Sequence, residues 1–396
     1  MRNKRHNWRC MAGGVITGLC LALTSTVAYP EVDEGPAFDE GRVFRLLDRA
    51  LGNFDELETL PESRWLRRDQ ESAHSDMNDL IDDAITILDV PELLSMRESY
   101  RGLESDILRE RDRISELRER RVFAPVADPS MITRYTPTET LRGFTARTRG
   151  DYDMLIEARE ANVQGYEAEL EELKQSMSDA LGKLNIDLPP DQLELWLSSA
   201  IGDDVISMSV VFQSIRDVTL RLEELTRESG ENLTFARRYY GMVVILHKLV
   251  VRMQEGFIER VDREILPRLD KYRNEADEII AESRKLLAQG GSRGHLENNI
   301  AANELTKRAI NLYTRIVRSQ RTKVNEALQV SKREENVAIN TYRTVRLSSN
   351  VAELIRDGVN TFETLSSLQI PDTAEFQNNE IRDEFRKLTE RMNEAL

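Results

Sequence analysis

PELLSMRESYRGLESDILRERDRISELRERRV, residues 91 to 122, decides how the rest of the chain is read. Leu93, Tyr100, Ile107 and Ile114 recur at seven-residue intervals, and Met96, Leu103 and Leu117 form a second line broken only by Glu110. A repeat of 3.5 residues holds an apolar seam against one partner helix along its length. The spacing therefore predicts a coiled-coil strand of about 30 residues, or roughly 45 Å at the α-helical rise. The intervening charges alternate in sign, as solvated helix faces do.

The partner follows in sequence. FAPVADPSMITRYTPTE stops the first helix with Pro125, Pro129 and Pro137, and Thr136, Pro137 and Glu139 supply an N-cap, a first-turn proline and a capping-box glutamate. The new helix has its own seam, with Ile156, Val163, Leu170, Met177 and Leu184 on one line and Tyr152, Tyr166, Leu173 and Ala180 on the other. Two such strands, 91–122 and 137–187, joined by a loop, predict an antiparallel helical hairpin.

Towards the N-terminus, Met77, Leu80, Ile81, Ala84, Ile85 and Leu88 mark one amphipathic helix. Val43, Leu46, Leu47, Ala50, Leu51, Phe54 and Leu57 mark an earlier one, from about Arg42. The acidic stretch 29–41, with its proline and glycine, reads as a flexible lead-in. Before it, Arg2, Lys4, Arg5 and Arg9 precede an apolar run from Met11 to about Val27, the pattern of a secretory signal peptide over 1–28. Thr26 and Ala28 suit cleavage before Tyr29, and an uncleaved inner-membrane anchor is the alternative.

Towards the C-terminus, 188–289 reads as a central helical core: a short helix after Pro189 and Pro190, a helix from about Asp204 to Glu228, and the apolar run Tyr239–Val251. That run is 13 residues long and contains His247 and Lys248, so it suits a buried helix better than a membrane span. A kink is expected near Pro267. A Gly-rich linker at 290–297 then leads into a region, 298–396, of one long helix and a terminal helix carrying Phe376, Phe385, Leu388 and Met392. With 6% aromatic and 32% charged residues and no strand pattern, the fold class is all-α: elongated helical hairpins and a bundle with antiparallel coiled-coil segments.

The linker contains GGSRG, residues 290–294, which matches the G-x-S-x-G nucleophile pattern. A nucleophile elbow needs a strand before the serine and a histidine downstream, whereas here a helical pattern precedes Ser292 and the last histidine, His295, lies in the same turn. Ser292 is the residue of a remote serine-hydrolase reading, and no catalytic residue is assigned. His74, His247 and His295 are too far apart to suggest zinc. The run Asp76, Asp79, Asp82 and Asp83 lacks EF-hand spacing and reads as a solvated face, so neither a metal ligand nor a cofactor ligand is assigned. Asn232-Leu-Thr234 matches a glycosylation acceptor, and Tyr239 and Tyr240 are read as core residues.

The chain carries 70 acidic and 55 basic residues, a net charge of −15, or −19 without the four basic residues of the leader. Such a surface repels nucleic acid and argues against a peripheral membrane role. Both cysteines, Cys10 and Cys20, lie in the leader, which fits an oxidising compartment. The expectation is an exported, periplasmic structural or adaptor protein of the cell envelope, not an enzyme. Its expected partners are envelope proteins, such as an inner-membrane complex, with self-association through the seams as a further mode. The alternative is a helical solute- or peptide-binding protein with a pocket between helix 239–251 and its neighbours near Trp196 and Phe212.

Overall fold

The computed structural model describes residues 38–57, 59–61, 69–135, 145–228, 233–347 and 379–394, all within one compact unit spanning Pro36–Leu396. The leader and its cleavage site, the cap at Thr136–Glu139, Asn232 and Phe376 lie outside the described residues. Among the described residues every regular element is helical, and the fold is an all-α bundle.

Helix α1, Glu40–Leu57, buries Val43, Leu46, Leu47, Ala50, Leu51 and Phe54. Its start corrects the lead-in at 38–41: Phe38 is buried, and the Asp39 carboxylate accepts the Arg42 N–H at 2.9 Å as a helix cap. Helix α2, Gln70–Leu88, is capped by Asp69, which accepts the Ser72 N–H at 2.9 Å, and packs against α1. Asp89, just after α2, accepts from Arg97 at 3.0 Å and from Ser207 at 2.7 Å, tying α2 to the two helices that carry those residues.

Helices α3, Pro91–Phe123, and α5, Arg149–Lys183, form the expected hairpin. The pairs Arg111–Glu167, Arg118–Glu160 and Arg121–Asp153 ascend α3 as they descend α5, so the helices are antiparallel. Leu93, Tyr100, Ile107 and Ile114 are buried against Ile156, Val163, Leu170 and Met177. Glu110 is 5% exposed inside this seam and accepts two hydrogen bonds from Arg159, each 2.9 Å long. Arg159 sits seven residues after Tyr152, in the matching gap of the α5 seam. The start of α5 corrects the expected helix from 137: Ala146 and Arg147 are not helical, and the cap is Thr148 with Asp151 in a capping box.

Helices α6, Pro190–Leu197, and α7, Gly202–Glu228, lead to α8, Leu233–Arg260. The apolar run lies inside α8, where Met242, Val244, Ile245, Leu246, Leu249 and Val250 are all buried. Among the described residues no helix is long and apolar enough to cross a membrane. The kink expected near Pro267 takes the form of a π-turn, Val261–Ile265, in which the Leu266 N–H reaches the Val261 carbonyl. Widening that turn makes room for a proline ring that would otherwise clash with the carbonyl four residues back. Phe257, Val261, Ile265 and Leu269 remain buried through it.

Helix α9, Leu266–Ala288, ends where expected, but α10 begins at Arg293 and runs to Leu347, so the linker is Gln289–Ser292 and not 290–297. Gly290 has φ +88°, and its N–H and that of Gly291 bond the carbonyls of Leu287 and Leu286 at 3.2 and 3.0 Å. This is a Schellman stop, which leaves the remaining residues free to begin the next helix at once. The 55-residue α10, about 80 Å long, packs on α8 and α9, and α11, Asn379–Glu394, packs on α10.

Two buried clusters divide the interior. One holds α1, α2, the second half of α7, the apolar run of α8 and the end of α10; the other holds the α3–α5 hairpin, α6, the start of α7, the π-turn and α11. Phe212 and Met253 touch both clusters. The sequence boundaries at 187/188 and 289/290 therefore do not separate packing units.

Candidate functional site

The hairpin is bound to the bundle at one end and packs on itself at the other. Near its base, Tyr100, Glu104 and Lys174 meet α6 and α11: Glu194 accepts from Lys174 at 3.3 Å and from Arg386 at 2.9 Å, and Arg386 also pairs with Glu104 at 2.9 Å. Burial, reinforced by the Glu104 charge, pushes the Tyr100 hydroxyl well above the usual phenol range. Next to it, Phe385 stacks on Tyr313 with 3.9 Å between ring centres, and Thr389 donates to the Ser198 carbonyl at 2.7 Å. The Tyr313 hydroxyl, raised to about 12 by burial, accepts the Ala200 N–H. From Glu110 outwards, the interhelical ion-pair partners of α3 lie on α5.

The outer end is a braced loop, and Asp151 braces it. Its carboxylate accepts the N–H groups of Ser130 at 2.6 Å, Arg147 at 3.0 Å and Thr148 at 3.1 Å. Burial pushes this carboxyl upward, but the three backbone donors together with the Thr148 hydroxyl outweigh it and hold it far below the usual range. The Thr148 hydroxyl donates to the Asp128 carbonyl at 3.1 Å, and the Arg149 and Gly150 N–H groups bond the carbonyls of Pro125 and Ala127. Gly150 is required there, since a Cβ would lie 2.5 Å from the Pro129 ring. Thr133, on the short helix α4, Met131–Tyr135, is fully buried behind this network.

Outside the braced backbone stand apolar side chains. Val122, Phe123, Val126, Met131 and Tyr135 are all exposed, Phe123 by 83% and Val126 by 80%. Arg118, Arg120, Arg121, Arg147 and Arg149 stand around them with Glu119, Asp128 and Asp151, and Arg118 and Arg121 pair with Glu160 and Asp153, so the described charges of this end nearly balance.

A second feature lies on α8. A groove of about 400 Å³ between α2, α7 and α8 is lined by Asp82, Asp204, Met208, Arg252, Met253 and Phe257. Its carboxylates are engaged: Arg252 holds Asp82 through two 2.6 Å hydrogen bonds, and Arg260 holds Asp204 through two of 2.7 Å. Burial raises the Asp204 pKa against the opposing pull of Arg260.

The residues singled out in the sequence do not converge. Ser292 is exposed in the stop between α9 and α10, its carbonyl accepting the Leu296 N–H, and His295 is exposed one turn into α10. His247 lies at the centre of the apolar run of α8, fully buried, and burial lowers its pKa to about 4. Asp76, Asp79 and Asp83 face outwards on α2, and among the described residues no three His, Cys, Asp or Glu side chains gather as a metal site would need. Tyr240 is buried in the core, while Tyr239 stacks with Phe235.

Of the residues expected around a pocket, Trp196 is 0% exposed in the hairpin-side cluster and Phe212 bridges the two clusters, while the groove described above opens further along α8. Sequence reasoning missed the exposed loop because its prolines were read only as helix breakers. The signal was present in Val122, Phe123, Val126, Met131 and Tyr135, placed between arginine-rich helix ends. Comparison with protein-family models, curated proteins and solved structures gave no match, so the functional reading rests on this chain's own residues.

Proposed function

We propose that the protein is an exported structural or adaptor component of the cell envelope, periplasmic in location, acting through helix faces on protein partners. The observation that carries this reading is the α3–α5 hairpin. Among the described residues, the ion pairs of its outer half, Arg111–Glu167, Arg118–Glu160 and Arg121–Asp153, run between α3 and α5 themselves. A seam of coiled-coil period holds the pair together, and the flanking charges are available to select a partner. The leader pattern and the confinement of both cysteines to it support export. Crosslinking in the native envelope followed by mass spectrometry tests the reading: partners should map to α3 and α5, and crosslinks confined to the groove along α8 would count against it.

A second reading is supported by the groove between α2, α7 and α8, whose Met208, Met253 and Phe257 floor and charged rim suit a small amphipathic solute or peptide. A thermal-shift survey distinguishes it, since a ligand whose effect is lost in Met253→Glu would favour this reading.

A further inference from the structure

We infer that the exposed face of α10 docks on the exposed face of α5 in a second copy of this chain, joining copies head to tail. The inference goes beyond the adaptor reading and does not rest on it, since it needs no other protein and uses outer faces, not seams. Helix α10 carries eleven basic and five acidic residues on a chain whose net charge is −15. Lys307, Arg321, Lys332 and Arg346 pair with Asp277 of α9, Asp262 of the π-turn, Glu255 of α8 and Asp55 of α1. Arg308, Arg315, Arg318, Lys323 and Arg333 are exposed and have no partner among the described residues. By helical spacing, Arg308, Arg315 and Arg333 share one line, opposite the buried Ile310, Tyr313, Val317 and Leu328. Glu326 is the one carboxylate on that line.

Helix α5 presents the complement. It carries nine acidic and four basic residues. On its side away from α3, Glu157, Glu172 and Asp179 are exposed, and none has an ion-pair partner among the described residues. Between them stand Ala161, Gly165 and Ala168, also exposed. A Cβ on Gly165 would meet nothing within 4 Å, so nothing inside the fold calls for glycine at this mid-helix position. Glycine there costs helix stability, and what it gains is room for another backbone to approach.

The two faces match in one antiparallel register. Arg308, Arg315 and Arg333 are separated by about 10 and 27 Å along α10, and Asp179, Glu172 and Glu157 by about 10 and 22 Å along α5. The difference is within the reach of an arginine side chain, whose planar fork suits a carboxylate. In this register Ser319 meets Ala168, Thr322 meets Gly165, and Glu326 meets Ala161, so the one carboxylate of the α10 line faces no like charge. Within one copy the ion pairs of both helices run to other elements, so these faces meet only between copies. Because they are different surfaces the contact is heterologous, which propagates from copy to copy. A longer polyanion such as nucleic acid would run onto the repelling acidic remainder of the surface. A contact one helix face wide is small, so the association is weak and salt-sensitive.

The test uses the chain from Tyr29 onward, which retains the whole compact unit beginning at Pro36. Sedimentation velocity and light scattering are compared at about 50 mM and about 500 mM salt. The expected result is a mass above the monomer at low salt that returns to the monomer at high salt. Arg308→Glu/Arg315→Glu and Glu172→Arg/Asp179→Arg should each weaken association more than about tenfold, and the four substitutions in one chain should restore it. The first variant makes the chain more negative and the second less, so a loss common to both cannot come from net charge. All four positions are exposed, so circular dichroism and melting should not change. The inference is overturned by a monomer at both salt concentrations, by association that neither double variant weakens, or by a fourfold variant that stays monomeric.

Discussion

Glu110 and Arg159 face each other across the hairpin seam, each filling the one polar gap in its own heptad line. A buried pair of this kind gives little net stability over apolar residues, but it penalises any shift of one helix along the other, because a shift would take Arg159 from Glu110 and leave that buried carboxylate to Arg113 of its own helix. Glu110→Ala should cost on the order of 2–3 kcal/mol, while Glu110→Leu with Arg159→Leu should be neutral or stabilising. Urea unfolding of the single and double variants checks this, and additive losses would remove the pair's role in register.

His247 predicts an acid-sensitive core. Its pKa is lowered by burial to about 4 from an ordinary 6.5, so the unfolded chain binds the proton more readily. Stability is therefore unaffected above about pH 6.5 and falls as the pH drops towards 4, by about 2–3 kcal/mol near pH 4.5. His247→Leu should lose this part of the pH dependence, read as the difference between wild-type and variant urea midpoints at pH 7 and pH 4.5.

Gln254 is 1% exposed, and neither atom of its amide has a hydrogen-bond partner among the described residues. Removing a buried polar group in that state relieves a desolvation cost. Gln254→Met should raise stability by about 1 kcal/mol, and a lowered melting temperature would show that the amide is satisfied.

GGSRG makes opposite predictions for two neighbours. Gly290→Ala forces a side chain into φ +88° and should cost about 1 kcal/mol, whereas exposed Ser292→Ala should change neither stability nor function. Absence of Ser292 labelling by a fluorophosphonate probe would agree, and loss of function in a folded Ser292→Ala protein would reopen the hydrolase reading.

What the sequence made legible follows from how local the physics is. The hairpin seam could be read because Leu93 to Leu117 and Ile156 to Leu184 repeat within single helices, and even its charge pair left a visible gap at Glu110. The start of α5 could not. Thr148-x-x-Asp151 is a good cap by sequence but lies inside the expected heptad helix, and only the Ser130 and Arg147 N–H groups converging on Asp151 mark it as the start of α5. The docking of α11 was illegible for the same reason: Arg386 meets Glu104 and Glu194 across nearly two hundred residues or more, a separation no periodicity records. Phe385, Leu388 and Met392 did show which face of that helix would be covered.

The π-turn at Val261–Ile265 has a consequence for how this chain can change length. Phe257, Val261, Ile265 and Leu269 are spaced by four, so in an unbroken α-helix their line would drift around the axis, and the wide turn offsets part of that drift. The turn holds one residue more than regular winding requires. With Pro267 also replaced, so that its ring no longer needs the wide turn, a single-residue deletion there could be absorbed by tightening it, whereas the same deletion elsewhere in α8 or α9 would rotate everything downstream off its partners. It is the place where the α8–α9 rod can lose a residue and keep its faces.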